Sequence, residues 1–152
     1  MMRRIYVLTL LMSLLCFSAC RENYYIEHEL HGMWQVTFVE RLSTGKVSEP
    51  QGALYYMFQR GMVALCVKHQ GSSGGMTRYI AHFDLLKDSI GMGDFRYYTT
   101  GEGGFVNDEK KVPIDRLERF GIYQDYTVFH MKQSKQKLIL TSDSSRVVFC
   151  RY

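Results

Sequence analysis

Gly32-Met33-Trp34-Gln35-Val36-Thr37-Phe38-Val39 is the stretch on which the fold reading turns. Trp34, Val36 and Phe38 alternate with Gln35, Thr37 and Val39, and a period of two sends alternate side chains to opposite faces of a strand. The same rhythm continues downstream. Residues 42–52 read as a loop, and 54–58 and 62–68 as two strands joined by a tight hairpin at Gln59-Arg60-Gly61, where Gly61 is free to take positive φ. Residues 78–85 alternate again, and 90–98 hold one or two short strands around Gly91 and Gly93. Residues 99–111 read as a long polar loop, a length that marks functional segments, and its simplest role is a lid over one mouth of the fold. Residues 113–120 predict a helix, with Pro113 suited to its first turn, Gly121 to its stop, and Ile114, Leu117 and Phe120 forming an apolar stripe. Three more strands follow at 126–132, 137–141 and 146–151. Eight or nine short strands with brief connections predict a mainly β, antiparallel sandwich or barrel, with one short helix before the last three strands.

Length and composition agree. The 152 residues allow a single domain, and 46% hydrophobic with 22% charged residues is a globular balance rather than a disordered one. The formal charge of +4 includes Arg3 and Arg4. Without those two the excess is too small for a nucleic-acid surface, which needs clustered cations.

Gly32-Met33-Trp34, opening the first strand, resembles the Gly-x-Trp signature of lipocalins and the wider calycin group. The resemblance implies an up-and-down barrel in which Gly32 and Trp34 form a plug at the closed end and a basic residue near the last strand packs across the indole. Arg146 and Arg151 both meet that description. A guanidinium over an indole contributes about 0.5–2 kcal/mol, depending on desolvation. Val147-Val148-Phe149-Cys150-Arg151 is similar to the closing strand of lipocalin-like lipoproteins of Gram-negative gut bacteria.

The N-terminus carries an address. Met1-Met2-Arg3-Arg4 is cationic, Ile5 to Phe17 is almost wholly apolar, and Ser18-Ala19 is small, the three regions of a secretory signal. Its apolar run falls short of the roughly 20 residues a membrane-spanning helix needs. Phe17-Ser18-Ala19-Cys20 resembles the lipobox of bacterial lipoproteins, which implies removal of residues 1–19, lipidation of Cys20, a tether over 20–31 and a β domain over 32–152. Several acyl chains, at about 0.8 kcal/mol per methylene, anchor a protein firmly to a membrane. An ordinary leader cut near Ala19 is the alternative. Arg21-Glu22-Asn23 lacks the acidic cluster that marks surface export in such bacteria, so the periplasmic face of the outer membrane is the expected location.

Cys66 and Cys150 would remain as a pair in an oxidising compartment, where a disulfide is one reading and two buried thiols the other. No Cys-x-x-Cys or Cys/His cluster suggests a metal or redox site. His28 and His31 stand three apart but have no second motif beside them. No Gly-x-Ser-x-Gly elbow or His-Glu-x-x-His motif occurs, so the sequence indicates no catalytic residues, no cofactor and no enzyme. Two functions fit what is left. In the first, the barrel holds a small apolar or amphipathic ligand in the mouth opposite Trp34, against Phe38, Tyr56, Tyr79, Phe83 and Phe129, since an eight-stranded barrel can enclose one small molecule. In the second, the barrel is filled by its own side chains and contacts another envelope protein.

Overall fold

The computed structural model describes residues 28–50, 53–69, 75–101 and 104–152, and of residues 99–101 and 104–109 the backbone alone. The chain divides into two units, Met1–Leu30 and His31–Tyr152. Of the first, only residues 28–30 are described, and they are helical. The expected leader, Cys20 and most of the expected 20–31 tether lie outside the described residues.

The second unit contains, in order, β1 (Gly32–Arg41), β2 (Lys46–Ser48), β3 (Leu54–Gln59), β4 (Met62–Lys68), β5 (Met76–Leu86), β6 (Ser89–Gly93), β7 (Arg96–Gly101), β8 (Gly104–Lys111), α1 (Ile114–Leu117) running into a 3-10 turn (Glu118–Phe120), β9 (Tyr126–Gln133), β10 (Lys137–Thr141) and β11 (Ser145–Arg151). Eight of these strands close a ring. Antiparallel pairings run β1-β3-β4-β5-β6-β9-β10-β11 and return to β1. Closure leaves no free edge in the ring, the hazard that open sheets must cover. The long β5 makes it work by pairing with β4 along one edge while sharing the other, Arg78–Ile80 with β7 and Phe83–Leu86 with β6. β2 adds to β1, and β8 to β7, outside the ring.

The alternation read from the sequence is clear in β9, where Thr127 and Phe129 are buried and Tyr126, Val128 and His130 exposed. In β1 it breaks. The register passes from Val36 opposite Phe149 directly to Phe38 opposite Val148, leaving Thr37 as an extra residue. A bulge of one residue reverses the faces of everything after it. Val39 therefore points into the barrel and is buried, while Phe38 turns to the outer wall beneath Arg146. The expectation that Phe38 shares the face of Trp34 and Val36 is corrected accordingly.

The expected loop at 99–111 is also corrected: these residues form most of the β7–β8 hairpin. A backbone ladder needs no apolar alternation, so a polar strand gives no period-two signal. Residues 46–48 of the first expected loop are strand for the same reason. The Gln59–Met62 hairpin turns through Arg60 and Gly61, both at positive φ, the two-residue geometry that matches strand twist. Between β8 and β9, α1 starts after Pro113 and its 3-10 continuation stops at Gly121, which is left-handed at φ 81°.

Candidate ligand-binding site

At one end of the barrel, Arg151 lies with its guanidinium carbon 4.8 Å from the centre of the Trp34 ring and donates to the His31 carbonyl at 2.7 Å. Gly32 has φ +120°, and a β-carbon there would stand 3.3 Å from the Arg151 guanidinium. Both facts call for glycine, the residue that tolerates this backbone and this close approach. Arg146 takes a different position, in an ion pair with Glu40 at 2.6 Å and over the Phe38 ring.

The opposite end is closed by the helical segment. Leu117 and Phe120 are buried, and Ser145 Oγ donates to the Gly121 carbonyl at 2.5 Å. The Tyr56 hydroxyl, from β3, donates to the Phe120 carbonyl at 2.7 Å. Burial raises the Tyr56 phenol well above its ordinary range. Tyr56 also packs edge-on against Phe149, with centroids 4.9 Å apart, and Phe58 against Phe83 at 5.6 Å. Such edge-to-face pairs are the preferred aromatic geometry.

Tyr56, Tyr79, Phe83 and Phe129 thus all point inward and are buried among the protein's own side chains. Phe38 is apart from them on the outer wall. The mouth opposite Trp34, where a ligand was expected, is the place that α1 and Phe120 occupy.

A groove lies on the other side of the wall. The outward residues of β3, β4, β5 and β7 align in rows: Tyr55, Cys66, Arg78 and Tyr98 in one, Met57, Ala64, Ile80 and Arg96 in the next. Tyr55, Ala64, Cys66 and Ile80 form a second buried apolar cluster, with Met33, Met57, Met76 and Tyr98 packed on it. Over this cluster runs a depression of about 310 Å³ lined by Met57, Gln59, Arg60, Met62, Val63, Ala64, Arg78, Ile80 and Tyr98. Its volume is at the lower end of the range for small-molecule sites. Methionine lining suits ligands of varied shape, because the side chain is flexible and polarisable. The sequence carried a signal for it: β4 is apolar on both faces from Val63 to Val67, as expected of a strand covered on both sides.

Cys66 and Cys150 are free thiols. Cys66 stands opposite Tyr55, Tyr55 opposite Gln35, and Gln35 opposite Cys150. Three inter-strand steps separate the thiols by roughly 14 Å, more than twice the Cα span of a bridge, so the disulfide reading is corrected. Cys66 is buried, and its Sγ lies 3.8 Å from the Ala64 carbonyl. Burial pushes this thiol up, while the Arg78 guanidinium beside it pulls the other way. A raised thiol is a poor nucleophile.

A second, more polar depression of about 220 Å³ lies between β1, β2 and the 3-10 turn, with Arg41, Lys46, Arg119, Glu118 and Tyr123 on its walls. Arg41 is committed there to the Tyr123 ring, 4.6 Å from its centre. Among the described residues, no three His, Cys, Asp or Glu side chains converge as metal ligands.

Comparison with known proteins fixes the class. The model of the lipocalin-like domain family matches residues 15–152, and the chain belongs to that family. In fold it is similar to a lipocalin-like protein from Bacteroides uniformis ATCC 8492, with TM-score 0.58 and 18% identity over 82% of this chain and 99% of that one. It is similar as well to an uncharacterized protein from Bacteroides eggerthii DSM 20697, with TM-score 0.57 and 17% identity over 81% and 99%. No curated protein matches the chain.

Proposed function

We propose that this protein is a non-enzymatic binding protein that carries a small amphipathic molecule in the outer-wall groove, tethered by lipid at Cys20 to the periplasmic face of a bacterial outer membrane. One observation supports the groove over the interior. The inward aromatic residues pack on one another and on the helical plug, whereas the groove presents Met57, Met62, Ala64 and Ile80 around about 310 Å³ of space. The lipocalin-like barrel supports a small-ligand role, and the lipobox-like Phe17-Ser18-Ala19-Cys20 supports the anchor.

A thermal-shift and native mass-spectrometry screen with single-chain lipids and hydrophobic metabolites tests the reading. A ligand at a hundred times its Kd stabilises the folded state by about 2.7 kcal/mol. The shift is expected to vanish in Ile80→Glu, which puts a charge on the groove floor. A bound ligand whose shift survives Ile80→Glu would place the site elsewhere. For the anchor, labelled palmitate is expected in the wild type and absent in Cys20→Ala, and equal labelling would overturn lipidation.

The burial of the inward aromatic residues also serves the second reading, a filled barrel that contacts another envelope protein. Crosslinked pull-down from native membranes would favour it if one protein were recovered in fixed ratio and no small molecule bound.

A further inference from the structure

We infer that the groove selects a single-chain carboxylate of medium length, with the Arg78 guanidinium as the anchor for its acid group and the methionine-lined floor as the bed for its chain. This rests on the groove reading above and adds the chemical class of the ligand.

Three features support it. The first is charge. The residues lining the groove include Arg60 and Arg78 but no Asp or Glu. Two described carboxylates on adjoining segments are engaged elsewhere: Asp94 with Arg96 at 3.0 Å, and Asp84 as acceptor from the Tyr126 hydroxyl at 3.1 Å. Among the described residues the groove therefore has a net positive lining.

The second is an unmet hydrogen bond. Arg78 Nε is shielded from water and has no acceptor among the described residues, and shielded polar atoms normally have partners. Arg78 stands between Cys66 on β4 and Tyr98 on β7 and hydrogen-bonds the Cys66 thiol, but a single thiol does not supply the two parallel acceptors that a guanidinium edge takes. A carboxylate does, by accepting from Nε and one Nη together. Met57 and Met62, which border the same groove, have enough rotatable bonds to give way to it.

The third is size. At roughly 30 Å³ per water-sized volume, a space of about 310 Å³ takes about ten non-hydrogen atoms. That suits one medium chain with its acid group.

The experiment titrates the purified full-length protein with decanoate, decan-1-ol and decyltrimethylammonium, reading Kd by calorimetry and native mass spectrometry. Decanoate is expected to bind at least about tenfold more tightly than the alcohol, and the cation more weakly than either. Arg78→Met is expected to remove the preference for the acid, with decanoate and the alcohol then binding alike, and Arg78→Lys not to restore it, because an ammonium lacks the planar fork. The wild-type comparison of acid with alcohol stands even if a variant fails to fold. Equal binding of acid and alcohol overturns the Arg78 anchor and leaves the groove intact. Binding of neither overturns the groove and the anchor together. Binding to phosphatidylglycerol vesicles without binding of free decanoate overturns the single-chain ligand.

Discussion

Arg151, Gly32 and Trp34 show how one residue constrains another. The guanidinium lies over the indole and against Gly32, and its hydrogen bond to the His31 carbonyl holds it there. Arg151→Met is expected to cost about 1 kcal/mol. Trp34 is the single tryptophan, so a change in intrinsic emission with the loss of stability locates the effect, and unchanged emission would argue against the stacking. Tyr56 gives a second prediction. Its hydroxyl serves the Phe120 carbonyl deep in the core, and burial raises its pKa. The folded protein keeps this proton after the unfolded chain has lost it. The contribution is therefore intact below the ordinary phenol value of about 10 and declines as pH rises beyond it. Tyr56→Phe is expected to lower stability by about 1–3 kcal/mol at neutral pH, through the orphaned carbonyl, and to flatten the alkaline fall in urea unfolding curves. An alkaline limb identical to the wild type would refute the assignment.

At the scale of elements, the segment from α1 to Gly121 acts as a stopper held from two sides, by Tyr56 on β3 and by Ser145 on β11. Gly121 sits at φ 81°, and a β-carbon there would run into Val147 Cγ2. Gly121→Ala is expected to cost about 1 kcal/mol for the backbone and about 1–3 kcal/mol for overpacking. Adding Val147→Ala should recover part of the second component only, so the two changes should be non-additive in a double-mutant cycle. Strict additivity would show that the contact does not matter. The sequence disclosed this element well, because Pro113, Gly121 and the spacing of Leu117 and Phe120 are local signals of a short helix. It disclosed the β7–β8 hairpin poorly: that ladder is made by backbone groups, and the residues at 99–111 carry no apolar alternation.

For the whole molecule, the barrel wall has two working faces. The inner face carries buried aromatic side chains that pack on one another, and the outer face over β3, β4 and β5 is an apolar bed beside two arginines. Phe129→Ala, inside, is expected to lower stability by about 3–5 kcal/mol without changing the groove's affinity for its ligand. Met57→Ala, outside, is expected to change stability far less and to weaken binding. Calorimetric titration beside thermal unfolding reads both, and the reverse pattern would return the ligand to the interior.

Much of this was legible one strand at a time. The alternation in β9, the Arg60-Gly61 turn and the helix stop at Gly121 are all encoded within a few neighbouring residues, because side-chain period and backbone sterics are local properties, whereas the Gly32/Trp34 plug was implied by the resemblance of Gly32-Met33-Trp34 to the lipocalin signature. The chain alone thus determined a mainly antiparallel β domain with one short helix before its last three strands. Tertiary structure decided the rest. It chose Arg151 over Arg146 for the indole, turned Phe38 outward through one extra residue at Thr37, held Cys66 and Cys150 three strands apart, and brought Arg78 beside Cys66 and Tyr98 on the outer wall. Each depends on which strand lies beside which and in what register, and those are settled only when β4 meets β5 and the ring closes.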